Sequence, residues 1–119
     1  MYVPGAEFRV SRTGSSAVVH CIGEVDINAS FAFRDTLDMA LDADTRQLVL
    51  DFGKLTFIDS TGLSVIFRAR RRLEDIGGRI AVAGIQARVV QRLFEVSGAE
   101  QLIDVYTTVD DALAARRNN

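Results

Sequence analysis

Asp59-Ser60-Thr61-Gly62 falls where a hydrophobic run, residues 47–52 and then Phe57-Ile58, gives way to an amphipathic stretch beginning near Ser60. A hydroxyl at the start of a helix lies beside backbone N–H groups that have no partner inside the helix, and beside the positive end of its dipole. That setting favours an anion, and phosphate is the anion most usefully added to a serine. The same residues also fit an ordinary N-cap, because Asp, Ser and Thr side chains accept bonds from those N–H groups. The tetrapeptide alone leaves both readings open.

Other residues capable of chemistry are sparse. His20 and Cys21 are the single histidine and the single cysteine, and both sit in the apolar run of residues 17–22. Period-two alternation there places His20 across the sheet plane from Val19 and Cys21. Without a second His or a Cys cluster, no metal site is expected. A lone cysteine excludes an internal disulfide, and Cys21 reads as a small buried hydrophobe. Ser60 lacks a legible base and orienting group, no Gly-x-Ser-x-Gly elbow or P-loop is present, and Asp110-Asp111 is explained by a helix start. Neither catalysis nor a cofactor is expected.

The elements that must position Ser60 follow from periodicity. Residues 7–10 and 17–22 read as two strands joined by a turn-rich segment, 11–16. Residues 23–26 lead out of the sheet, and a helix over 30–41, capped by Asn28 or Ser30, turns Phe33, Leu37, Ala40 and Leu41 to one face. Strand 47–52 follows, then a turn at 53–56. A second helix spans 60–76 and stops at Gly77-Gly78; its inner stripe is Val65, Ile66, Ala69, Leu73 and Ile76. Arg68, Arg71, Arg72 and Asp75 make the solvated face. Leu63 and Phe67, i and i+4, either widen the core contact or form an apolar docking patch beside Ser60. Strand 79–83, helix 86–96, strand 102–105 and a last helix from Thr108 complete the order β-β-α-β-α-β-α-β-α. The fold class is thus α/β: a small single domain with a mixed sheet and about four helices. One domain is expected over residues 1–119, its core about 7–115 between loose termini.

Composition narrows the function classes. Of 119 residues, 48% are hydrophobic and 25% charged, as in a globular chain. A net charge of −2 offers no electrostatic footprint for nucleic acid. No long apolar run or signal peptide is evident, so neither membrane insertion nor export is expected and the expected location is cytoplasmic.

Four segments in order carry a resemblance over nearly the full chain: Gly23-Glu24-Val25-Asp26, residues 57–63 around Asp59-Ser60-Thr61-Gly62, Ile76-Gly77-Gly78, and residues 92–98. Together they resemble the STAS-domain proteins, specifically the stand-alone bacterial anti-sigma factor antagonists. The resemblance implies stress-responsive control of transcription by partner switching. The unphosphorylated chain would bind an anti-sigma factor that is also an ATP-binding serine kinase, freeing a sigma factor. Phosphorylation at Ser60, with Thr61 a secondary candidate, would release the partner, and a serine phosphatase would reset the chain. The implied partner-binding residues are Asp26, Asp59, Ser60, Thr61, Gly62, Leu63 and Phe67, with Asp26 expected near Asp59. The alternative within the same fold is a STAS subunit of a lipid-transport ABC complex or another STAS scaffold protein. Arg68, Arg70, Arg71 and Arg72 form a denser basic group than the resemblance leads one to expect; they read as a solvated face or as a surface for an acidic partner.

Overall fold

Alternating apolar side chains build one sheet with helices on both faces. The computed structural model describes residues 1–115; the expected polar tail, residues 116–119, lies outside them. Along the chain run β1 (Tyr2–Val3), β2 (Ala6–Thr13), β3 (Ser16–Val25), α1 (Ile27–Ala40), β4 (Gln47–Ile58), α2 (Ser60–Glu74), β5 (Arg79–Ala83), α3 (Arg88–Ser97), a short 3-10 turn (Ala99–Gln101), β6 (Asp104–Tyr106) and α4 (Val109–Ala115). Spatial order equals chain order across the six strands. β1, β2 and β3 pair antiparallel, and β3 through β6 pair parallel.

Each parallel step moves one place in the same direction. Right-handed crossovers therefore deposit α1, α2 and α3 on one face. Phe8, Phe33, Leu50, Phe52, Ile66 and Phe94 meet there in the main core. Phe8 stacks on Phe33 with ring centres 5.3 Å apart, and Phe52 meets Phe94 edge-on at 6.1 Å. The opposite face carries Val18, Val49, Ala81 and Ala83, covered by Ala112 of α4. Gln47, buried, ties that helix down: its Nε2 donates to Ala112 O at 3.1 Å, and its Oε1 accepts from Ser16 Oγ at 3.0 Å.

The mixed sheet and four helices match the sequence reading, and several boundaries are corrected. The N-terminal segment is not loose: β1 pairs with β2, and the Met1 ammonium donates to Phe8 O at 2.6 Å. Residues 23–25 do not leave the sheet but continue β3 to Val25. Residues 53–56 are not a turn. β4 runs through them with two register shifts, so that the partner of Ile22 is Lys54 and that of Glu24 is Phe57. These bulges absorb the Gly and polar residues that imitate a turn, and they return Leu55 and Ile58 to the core side. α2 ends at Glu74, so Ile76 falls outside its stripe and is 51% exposed. Gly77, at φ 73°, makes the left-handed stop expected of it. β6 begins later than expected because Ala99–Gln101 coils first.

The basic group of α2 is largely matched from within the chain. Arg68 Nη1 and Arg72 Nη1 both donate to Asp38 Oδ1 of α1, at 2.7 and 2.6 Å. Arg70 pairs with Glu74 one turn on, at 3.0 Å. Arg68 is half-buried and so only partly belongs to the solvated face.

Cys21 is buried opposite Phe8, as its sequence context implied. Burial pushes its thiol well above the ordinary range, and the Asp51 carboxylate adds to the effect. At pH 8 the native protein should therefore react negligibly with a disulfide reagent such as dithionitrobenzoate, while the guanidinium-unfolded chain reacts at the rate of a free thiol. Comparing absorbance traces for the two states checks this.

Candidate functional site

Two strand ends and two helix starts converge at one end of the sheet. The last pair of the β3–β4 ladder is Val25 with Ile58, so the next residues, Asp26 and Asp59, emerge side by side. The Asp59 N–H donates to Val25 O at 3.3 Å, locking the two exits together. Both aspartates are extended and cap the helix that follows. Asp26 Oδ1 accepts from Asn28 N at 2.9 Å and Ala29 N at 3.1 Å. Asp26 rather than Asn28 or Ser30 is thus the cap of α1; Ser30 instead donates to Ile27 O at 2.8 Å. Asp59 Oδ1 accepts from Thr61 N at 2.9 Å and Gly62 N at 3.3 Å.

The two hydroxyls of the tetrapeptide differ in kind. Thr61 is half-buried and its Oγ1 donates to Asp59 Oδ1. Ser60 is exposed, it is the first residue of α2, and among the described residues its hydroxyl has no hydrogen-bond partner. Only its carbonyl is engaged, accepting from Ser64 Oγ at 3.0 Å. Asp59 therefore does the capping, and the Ser60 hydroxyl is left exposed and without a partner among the described residues.

Gly62 and Leu63 serve the scaffold. A Cβ on Gly62 would stand 2.7 Å from Ile58 Cγ1 and 3.0 Å from Val25 Cγ1, so a glycine lets α2 start against the strand ends. Leu63 is 5% exposed and lies in the main core, which answers its open reading in favour of packing. Phe67 is partly buried and packs against the same core. The large apolar side chains exposed at this end are on α1 instead: Ile27 at 61% and Phe31 at 70%. They are i and i+4, on the face opposite Ala29 and Phe33. Periodicity missed them because it started α1 near residue 30; the signal was an apolar pair out of phase with Phe33 and Leu37, immediately after Asp26. Glu24, Asp26 and Asp59 make the surroundings acidic. Among the described residues no cluster suited to a metal ion occurs.

A family profile described as the STAS domain matches residues 7–112. The chain belongs to the STAS-domain family. It is 31% identical over 97 residues to the anti-sigma F factor antagonist of Paenibacillus polymyxa, covering 81% of this chain and 82% of that one. Among solved structures of the STAS fold, an anti-sigma factor antagonist from Mycobacterium paratuberculosis superposes with a TM-score of 0.85 at 24% identity, over 98% of this chain and 99% of that one. The Bacillus cell fate determinant SpoIIAA, in its phosphorylated form, superposes with a TM-score of 0.71 at 22% identity, over 92% and 98%. No helix among the described residues of this STAS chain is long and apolar enough to cross a membrane.

The different jobs of the site residues separate by stability. Gly62→Ala should destabilise the fold by about 1–3 kcal/mol through overpacking, and Asp59→Ala by about 1 kcal/mol through loss of the cap. Ser60→Ala should change stability by less than about 0.5 kcal/mol, as for an exposed side chain without partners. Urea unfolding of the three variants checks the ranking.

Proposed function

We propose that this STAS protein is an anti-sigma factor antagonist of the partner-switching kind. Unmodified, it binds an anti-sigma factor that is also a serine kinase, and a sigma factor is freed. Phosphorylated on Ser60, it releases that partner, and a serine phosphatase restores it. The reading places the chain in the cytoplasm and asks no catalysis of it in this cycle. The observation that carries it is the Ser60 hydroxyl, exposed and unpartnered among the described residues while Thr61 is held by Asp59. The naming of the Paenibacillus relative supports the class, and the phosphorylated SpoIIAA supports a phosphoryl group as the signal.

The geometry gives the switch a physical cause. A phosphoserine adds about −1.5 to −2 charges at pH 7. The N–H groups at the start of α2 that would best receive it, those of Thr61 and Gly62, are already bonded to Asp59. The phosphate is therefore held outward, next to Asp26 and Asp59, rather than folded back onto the helix. A docked partner then meets a hydrated dianion where it met a small hydroxyl, while the fold itself is undisturbed. Ile27 and Phe31 supply the exposed apolar contact beside this point, and Phe67 borders it with its accessible edge.

The test is a pull-down from the host's lysate with unmodified and Ser60-phosphorylated protein, followed by mass spectrometry. Capture of an ATP-binding anti-sigma kinase by the unmodified form alone is the expected result. Capture of a membrane transport ATPase complex by both forms would overturn it and reduce Ser60 to an ordinary helix-start residue. Once the kinase is in hand, Ile27→Ala with Phe31→Ala should weaken its binding at least about tenfold, the scale of an apolar hot spot, and leave the thermal melting curve unchanged. Titration calorimetry and a thermal scan of the double variant measure the two quantities.

A further inference from the structure

The face of the sheet beside α4 is only partly covered, and three of its side chains form a relay across three strands. His20 on β3 is the direct ladder partner of Asp51 on β4 and of Arg9 on β2. Asp51 Oδ2 lies 2.7 Å from His20 Nδ1, and Asp51 Oδ1 accepts from Gly53 N at 2.9 Å, which fixes the carboxylate. His20 Nε2 lies 3.2 Å from Ser11 Oγ on β2. A carboxylate facing Nδ1 keeps the ring proton of neutral imidazole there and turns the Nε2 lone pair to the serine hydroxyl. The His20 and Asp51 side chains are 35% and 28% exposed, so the relay is partly desolvated yet reachable. It borders a cleft of about 550 Å³ that also has Ile22 and Lys54 in its walls.

We propose that Ser11, His20 and Asp51 form an activated-serine site on the open sheet face, one that accepts an acyl group from small activated esters bearing negative charge. A nucleophile, a base and a group orienting the base are the minimal set for such chemistry, and here they stand in sequence within hydrogen-bond reach. The charge preference comes from the cleft wall. Arg9 is tied to Glu7, and Lys54, although its charge is felt by Glu7, closes no salt bridge among the described residues and keeps its ammonium in the cleft wall.

The step balances within the site. Ser11 Oγ bonds to the acyl carbon as its proton passes to His20 Nε2. The bond from the acyl carbon to the leaving oxygen then breaks, and that oxygen takes the proton from Nε2. Asp51 stays ionised, as a positioning residue that holds the ring and offsets its transient charge. The product is an acyl ester on Ser11 and a free alcohol. This site is separate from Ser60 and does not depend on the partner-switching reading.

The experiment incubates the full chain with para-nitrophenyl succinate or para-nitrophenyl acetate and locates the acyl group by peptide mass spectrometry. Ser11 should be labelled at least tenfold faster than the exposed helix serine Ser64. His20→Gln and Asp51→Asn should each lower that rate at least tenfold, with melting curves showing that both variants remain folded. Ser11→Ala, which removes the exposed hydroxyl that meets His20 Nε2, should lose the label with the fold intact. Lys54→Gln should slow the succinate ester and spare the acetate. Labelling of Ser11 no faster than Ser64, or unchanged in folded His20→Gln, would overturn the proposal and leave a cross-strand hydrogen-bond chain.

Discussion

The in-register ending of two neighbouring parallel strands is the constraint on which the rest of this protein depends. β3 and β4 stop together at Val25 and Ile58, and an aspartate follows each. Because the strands are parallel, both helices that follow start on the same side and expose their N-terminal ends together. Each aspartate spends its carboxylate on the unpaired N–H groups of its own helix. What is left at the surface is a serine with nothing to do for the fold, at the end of the sheet that also carries both acidic caps and the exposed Ile27 and Phe31. Had the ladder ended one residue out of step, the helix starts would not lie level and Ser60 would not stand at a shared edge.

The same arrangement separates the residues that hold the fold from those left at the surface. Gly62, Leu63 and Asp59 hold α2 against the strand ends, and their neighbours Ser60 and Ser64 face outward. Cap and exposed hydroxyl are adjacent in sequence but draw on different atoms. A charge added at Ser60 acts on what lies outside it, because the donors that could fold it inward are already taken.

The fold was legible wherever the governing interactions are local. Gly77 and Gly98 stop their helices in left-handed conformations, and period-two alternation in residues 17–22 separates Cys21 from His20 across the sheet. Asp59-Ser60-Thr61-Gly62 was legible for the same reason, since a cap and its helix are near in sequence. The failures share a cause in tertiary geometry. Residues 53–56 have the composition of a turn, yet pairing with β3 keeps them in the ladder by way of bulges. Asp26, Asn28 and Ser30 are all able caps, and only the exit of β3 at Val25 selects Asp26. That choice sets the phase of α1, and with it the exposure of Ile27 and Phe31. The contacts of Ser11 with His20, and of His20 with Asp51, span strands whose register no sequence spacing discloses.

Asp38 has a consequence for how a partner would experience this surface. By receiving both Arg68 and Arg72 it ties the C-terminal half of α1 to that of α2, while the Asp59 N–H on Val25 O ties their starts. Fixed at both ends, the two helices hold their starts in a set relative position before any encounter. A surface ordered in advance forfeits little conformational entropy when it is covered, so more of the contact energy is retained in the complex. It also has little room to adapt. A rigid surface of this kind tolerates an intruding charge poorly, so under the proposed reading a single modification would act as a two-position switch instead of a graded one.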